Sequence, residues 1–200
     1  MVPALLVRVH PSSCSPRVLI SIFIRPRTND VTLSILGRAK AAGFTALVVT
    51  LDTFTLGWRP LDLATAYLPN LAGVGVQVGT SDPVFMKRMG APVRPDERPA
   101  FPFDLEAFRN RLAVGDEQAA VELKLSVGWV GEISSGLFRT WEELVFLRDN
   151  WSGPIVLKGV QTVEDAHAAM DARMDGIVVS NHGTLTSFRI MVRVILVYIR

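Results

Sequence analysis

The chain has 200 residues, 49% of them apolar and 20% charged, with 15 Gly, 12 Pro and a single Cys. One Cys excludes an intramolecular disulfide framework and a Cys-x-x-Cys zinc site, and the long apolar runs exclude general disorder. The net charge of +2 is an average: residues 1–29 hold four Arg and no acid, residues 184–200 hold three Arg and no acid, and the remaining 14 basic and 19 acidic residues leave the body at −5.

An acidic body is the wrong sign for a nucleic-acid groove, which needs clustered Lys and Arg on one face. No apolar run reaches the ~18–20 residues of a membrane span. The opening MVPALLVRVH lacks a clean small-residue cleavage site, so the expected location is the cytoplasm. An organellar transit peptide is the alternative, since Arg and Ser occur there without acids. Cys14 has no local base beside it and reads as an incidental thiol.

In chain order, residues 30–42 read as a helix, capped by Asn29 or Asp30, with Val31, Leu33, Ile35, Leu36 and Ala39 on its apolar face. Gly43 stops it. TALVVTLD then reads as a strand buried on both faces, as in a parallel sheet. A long insertion follows, about 60–138, holding Pro69, Pro83, Pro92, Pro95, Pro99 and Pro102. Helices are expected in it near 104–112 and 116–126, and so long a connection reads as a lid or substrate-covering segment.

TWEELVFLRDNW (140–151) is the next helix, with Thr140 and Glu143 in capping-box positions. Gly153-Pro154 breaks it, IVLK (155–158) is a strand, and Gly159 is expected to end that strand. A helix over 162–174, opened by Thr162, leads into the buried strand DGIVVSN (175–181). The tail TSFRIMVRVILVYIR reads either as an edge strand or as a membrane-surface helix, or as an extension with no evolved role. Helices alternating with buried strands at roughly 22–25 residues per unit argue an α/β fold with a parallel sheet.

Each buried strand ends in polar groups: Thr50 and Asp52, then Lys158, then Ser180, Asn181 and His182. Parallel α/β folds build their sites at the carboxyl ends of the strands. Taken singly, each has a plain structural reading: Asp52 as a turn cap, Lys158 reaching solvent, His182 as a hydrogen-bonded loop residue. Together, an Asp and a His make an orienter and a base, and a Lys supplies a fixed positive charge or an imine-forming amine. These parts suit two chemistries, oxidation on a flavin and aldolase-type imine formation.

TALVVTLDTFTLGWRPLDLATAYLP, SDPVFMKRMG and TWEELVFLRDNWSGPIVLKGVQTVEDAHAAMDARMDGIVVSNHG, in this order, resemble the FMN-dependent α-hydroxy-acid dehydrogenase/oxidase family. The likeness is to lactate 2-monooxygenase-like and L-lactate oxidase-like members, which carry a long insertion here. The resemblance implies a (β/α)8 barrel with FMN at the strand carboxyl ends and a small 2-hydroxy acid as substrate. It implies that Thr50 and Ser180 contact the flavin, and that Lys158 stabilises the reduced anion at the flavin N1/O2 edge. His182 takes the substrate's hydroxyl proton or acts as the acid/base in a carbanion version, Asp52 holds the protonated His182, and Arg59 supports Asp52. No metal is implied, and members of the family are often homo-oligomers.

The sequence also departs from the family pattern. The family continues after S-N-H-G with Gly-Arg, whose Arg clamps the substrate carboxylate, and here Thr184 and Leu185 follow Gly183. Ile22 and Ile24 stand where the family strand carries the Gln and Tyr that meet flavin and substrate. The later strands with the phosphate grip for FMN are not recognisable. The expectation is therefore a partial (β/α)8 barrel of about three to four βα units. Its divisions are a non-family segment 1–25, a barrel part 26–183 and a non-family tail 184–200. Strands are expected near 46–51, 155–158 and 176–180, with a fourth near 18–24. Such a chain is expected to be truncated and inactive, or to be a non-catalytic fragment that associates with itself or with a full-length relative.

Overall fold

The computed structural model describes residues 20–23, 25–53, 55, 60–65, 68–95, 103–180 and 195–198. They divide into two compact units, one built from Pro26–Ile35 and Trp58–Ser135, the other from Leu36–Gly57 and Gly136–Arg200 with the strand upstream of Pro26.

Helix α1 (Asn29–Ala41) starts within the first unit. The insertion is helical: α2 (Pro60–Thr65), a 3-10 turn (Pro69–Ala72), α3 (Gln77–Thr80), α4 (Pro83–Met89), α5 (Leu105–Ala113) and α6 (Glu117–Ile133). Its helix starts are set by aspartates. Asp82 accepts from the backbone N–H groups of Val84 and Phe85, Asp104 from Ala107, and Asp116 from Gln118 and Ala119. Each supplies an acceptor to N–H groups that have no partner inside the helix. Asp82 is fully buried and also accepts from Ser34 Oγ at 2.7 Å, which ties α4 to the first part of α1. Phe85 meets Trp129 edge-to-face at 5.2 Å between ring centroids, a favoured aromatic geometry. A smaller apolar cluster of Ala72, Phe108 and Ala119 packs with Phe103, Leu105, Leu112 and Leu123. Arg88 binds Asp30 at 2.8 Å and also Glu132 and Thr28, joining α4, α1 and α6.

In the second unit, β1 (Ile20–Phe23), β2 (Ala46–Thr50), β3 (Ile155–Val160), β4 (Gly176–Val179) and β5 (Ile195–Tyr198) form one sheet in that order. β1 to β4 are parallel and β5 runs antiparallel to β4. Helices α7 (Trp141–Asn150) and α8 (Val163–Asp171) precede β3 and β4. Parallel neighbours in chain order, with a helix before each of β2, β3 and β4, are part of a (β/α)8 barrel. Leu47, Ile155 and Leu157 are fully buried on one face of the sheet, and Leu147 of α7 is fully buried as well.

Polar staples fix the strand starts. Asp175 accepts from the Ile155 N–H and from Arg148, each at 2.8 Å, and its own N–H donates to the Ile155 carbonyl. Arg148 also caps the end of α7 by donating to the carbonyls of Trp151 and Gly153. Gly153 passes so close to Thr45 that a Cβ there would lie 2.1 Å from the Thr45 carbonyl oxygen.

The expected elements appear with informative differences. The strand near 18–24 is β1, and α7 carries the capping box of Thr140 and Glu143, with Thr140 N–H donating to Glu143 Oε2 at 3.0 Å. Thr162 caps α8 through the Asp165 N–H, also at 3.0 Å. Leu33, expected on the apolar face of α1, is 42% exposed, and Thr32 is buried in its place, its hydroxyl donating to the Thr28 carbonyl. The helix expected near 116–126 continues to Ile133, because burial of Leu125 and Trp129 carries it past Gly128 and Gly131. Gly159 does not end β3. The strand runs on to Val160 through a register shift at Gly159. The tail contributes an edge strand, β5, over Ile195–Tyr198. Among the described residues, no helix is long and apolar enough to cross a membrane.

Gly153→Ala forces a methyl group onto the Thr45 carbonyl and is expected to destabilise the protein by about 1–3 kcal/mol. Gly37→Ala, inside α1 with nothing within 4 Å of the new Cβ, is expected to stabilise by about 0.5–1 kcal/mol. Urea midpoints of the two variants against the parent check the pair. Hydrogen bonding from Arg88 holds the Asp30 carboxyl below its ordinary range. The linked stabilisation is therefore complete above about pH 4, the unfolded value, and is lost as the pH falls through the lower folded value. Asp30 is largely exposed, so the expected size is under about 1 kcal/mol. It should vanish in Arg88→Met, read as a flatter stability profile between neutral and acid pH.

Candidate functional site

The carboxyl ends of three adjacent parallel strands converge on Asp52. The β2–β3 register sets Thr50 opposite Lys158, and the ladder continues one step further through the Leu51 N–H to the Lys158 carbonyl at 2.8 Å. On the other side, Lys158 stands opposite Val178 of β4. Strand β4 then delivers Ser180 just past its last residue.

Lys158 Nζ donates to both carboxylate oxygens of Asp52, each at 3.0 Å. Ser180 Oγ donates to Asp52 Oδ2, also at 3.0 Å. The Asp52 side chain is 5% exposed and that of Lys158 is 22% exposed, and Ser180 and Thr50 are buried. A carboxylate removed from water is tolerable only when paired and hydrogen-bonded. Lysine supplies the charge and serine a further donor. Of the roughly four acceptor sites on a carboxylate, these contacts account for three.

The backbone makes room for this arrangement at Gly159. Its φ is +109°, in the region that favours glycine, and a Cβ there would fall 2.8 Å from the Asp52 Cβ and 2.9 Å from its backbone nitrogen. The register shift at this residue therefore lets β3 close over the start of the loop after β2. Next to Asp52, the Thr53 hydroxyl is buried and has no hydrogen-bond partner among the described residues.

The structure thus brings together Asp52, Lys158 and Ser180, and places Thr50 on the same edge across from Lys158. Arg59, Asn181 and His182 lie outside the described residues. Asp52 was expected to hold His182, and its described partners are Lys158 and Ser180. Gly159 and Thr53 were not singled out from the sequence. Gly159 was taken as a strand stop, and the signal that could have found it is its place directly after the charged strand-end residue, where a bulge re-aims a side chain. No group of His, Cys, Asp and Glu among the described residues could hold a metal ion.

The donor set suits the isoalloxazine edge of a flavin: an ammonium, still 22% exposed, and two hydroxyls stand at one strand edge.

A portion of a (β/α)8 barrel with its polar groups at the strand carboxyl ends defines the class of protein. The sequence matches the FMN-dependent dehydrogenase family over residues 12–188, and the chain belongs to that family. It is 43% identical over 157 residues to the FMN-dependent alpha-hydroxy acid dehydrogenase qulF of Penicillium citrinum, a match covering 77% of this chain and 33% of that protein. It is 42% identical over 156 residues to an FMN-dependent alpha-hydroxy acid dehydrogenase of Schizosaccharomyces pombe, with the same coverage. The chain spans about a third of the length of these relatives. Among solved structures, a lactate oxidase of Pediococcus acidilactici superposes with a TM-score of 0.50 at 21% identity, covering 85% of this chain and 34% of that one, which is a likeness of fold.

Gly159→Ala is expected to push Asp52 out of its contact with Lys158, whereas Ser180→Ala removes one hydrogen bond and leaves the ion pair standing. Nitrogen and carboxyl NMR signals of Lys158 and Asp52 report this: a large change in both for the first variant and a small one, confined to Asp52, for the second.

Proposed function

We propose that the whole protein oxidises small L-2-hydroxy acids of lactate-like size to 2-oxo acids or their decarboxylated products, using FMN. We further propose that this chain supplies the strand-edge groups that hold and polarise the flavin. The observation that carries this reading is the buried Asp52–Lys158–Ser180 cluster at the carboxyl ends of three neighbouring parallel strands. When bound, FMN supplies a two-electron acceptor for the substrate's α-carbon.

In this reading Lys158 sets a positive charge against the N1/O2 edge, where negative charge gathers on reduction. Thr50 and Ser180 offer hydroxyl hydrogen bonds to the ring. Asp52 anchors Lys158 and stabilises His182 in its protonated form. His182 takes the proton from the substrate hydroxyl, and Arg59 supports Asp52 electrostatically. The commitment of two Lys158 N–H donors to Asp52 favours this charge role over imine chemistry.

A second reading, binding without turnover, is favoured by Leu185. It stands where an arginine would grip the substrate carboxylate in the family pattern, and a bidentate arginine contact is among the strongest available for that group. A chain of this kind would act by associating with itself or with a full-length relative.

Anaerobic titration of the chain with FMN, followed by L-lactate, separates the two. Loss of the bound flavin's visible absorbance on adding L-lactate supports turnover. Tight binding with no bleaching supports the second reading, and failure to bind FMN sinks the first. Where bleaching occurs, Lys158→Met is expected to slow it about a hundredfold or more, the usual effect of deleting one positioned electrostatic group.

A further inference from the structure

An edge strand carries backbone N–H and C=O groups that pair with any strand that reaches them, and proteins commonly guard such an edge with charge, proline or a bulge. β1 has none of these guards. It reads Ile-Ser-Ile-Phe and pairs with β2 without a register shift. Among the described residues no strand lies on its outer side.

Direction and length narrow what fits there. β1 to β4 run parallel in chain order, which is half the strand number of the barrel class. β4 reads Gly-Ile-Val-Val, as long as β1 and likewise free of charge and proline. Two copies related by a two-fold axis can set β4 of each beside β1 of the other, with all strands of the ring parallel. Each copy then gives and receives the same contact, the self-complementary form of a C2 pair. Closure leaves no open edge.

Charge separates this arrangement from the simpler antiparallel pairing of two β1 strands. Arg17 stands three residues before β1 and Arg25 two residues after it. Antiparallel pairing sets the Arg17 end of one copy against the Arg25 end of the other, twice over, and like charges opposed across strands destabilise. Parallel pairing instead brings the Arg17 end to the start of β4, where Asp171 and Asp175 outnumber Arg173.

We propose that two copies of this chain associate through their strand edges, β1 of each docking parallel to β4 of the other. The proposal rests on the reading in which the chain associates with itself. β5 occupies β4 in the antiparallel sense, so it leaves that edge as the second copy arrives.

Sedimentation equilibrium of the full chain is expected to show association that stops at two copies. Val197→Pro, which removes a backbone donor from β5, is expected to tighten the dimer at least tenfold. The pairing is read by mixing two chains in a Cys14→Ser background, one carrying Ser21→Cys in β1 and the other Val179→Cys in β4, and adding a short bis-maleimide. A cross-link between the two kinds of chain is expected, with none between two Ser21→Cys chains. Cross-linking of Ser21→Cys chains to each other would overturn the proposal in favour of antiparallel edges. So would assembly that continues past two copies, or a dimer no tighter in Val197→Pro. A dimer without the 21–179 cross-link leaves self-association standing and removes the proposed edges. A chain that stays monomeric at every concentration removes both. The cross-linking uses chains with β5 intact, so the test holds should Val197→Pro fail to fold.

Discussion

One buried carboxylate organises the strand edge. Asp52 lies beyond the end of β2, and to be ionised out of water it needs a cation and further donors. Those come from β3 and β4, so the pair can form only if three strands keep their register. A slip of one residue in a strand moves its whole side-chain set to the other face. Lys158 would then point away from Asp52. The register is held elsewhere, by Asp175 and Arg148 gripping the start of β3 and by Gly153 lying flush against Thr45. The contacts at the opposite ends of the strands thus protect the geometry at the carboxyl ends. This division of labour, with stability at one rim and chemistry at the other, is the rule for barrel enzymes.

How far the sequence spoke for itself depends on the kind of signal. Apolar strands flanked by helix caps were legible, because caps and periodicity are local. Thr140 with Glu143 and Thr162 with Asp165 mark helix starts within four residues of sequence. The strand-end positions of Thr50, Lys158 and Ser180 were legible for the same reason, and their family resemblance joined them. What was not legible was whatever depends on distant partners. Thr32 is buried and Leu33 exposed because the environment of α1 is set by residues some fifty and a hundred positions away, such as Asp82 and Glu132. Gly159 looks like a strand breaker until Asp52, over a hundred residues earlier, is brought against it. The pairing of Asp52 with Lys158 was missed in the same way, since Asp52 was read as the partner of His182 and Lys158 as a charge at the flavin edge.

The insertion is a structure in its own right. Capping aspartates start α4, α5 and α6, the Phe85–Trp129 pair fills the middle, and Gly79 and Gly128 let α3 and α4 approach α6 more closely than any side chain would allow. Its proline-bearing sequence was read as a lid or substrate-covering segment with helices near 104–112 and 116–126. Most of those prolines sit at helix starts or between helices, where a fixed φ and a missing N–H are assets. Pro83 opens α4 and Pro69 opens the 3-10 turn.

The outer edge of β4 has room for one neighbour. Along Gly176–Val179 that place is taken by Ile195–Tyr198, running in the opposite direction. In a closed (β/α)8 barrel every strand has two parallel neighbours. The hydrogen bonds that β5 uses are therefore the same ones a following parallel strand would need. Pairing with β5 and ring closure at β4 are rivals for a single set of N–H and C=O groups. The antiparallel strand acts as a plug in the seam, and whichever segment wins that edge decides whether the sheet stays open or goes round.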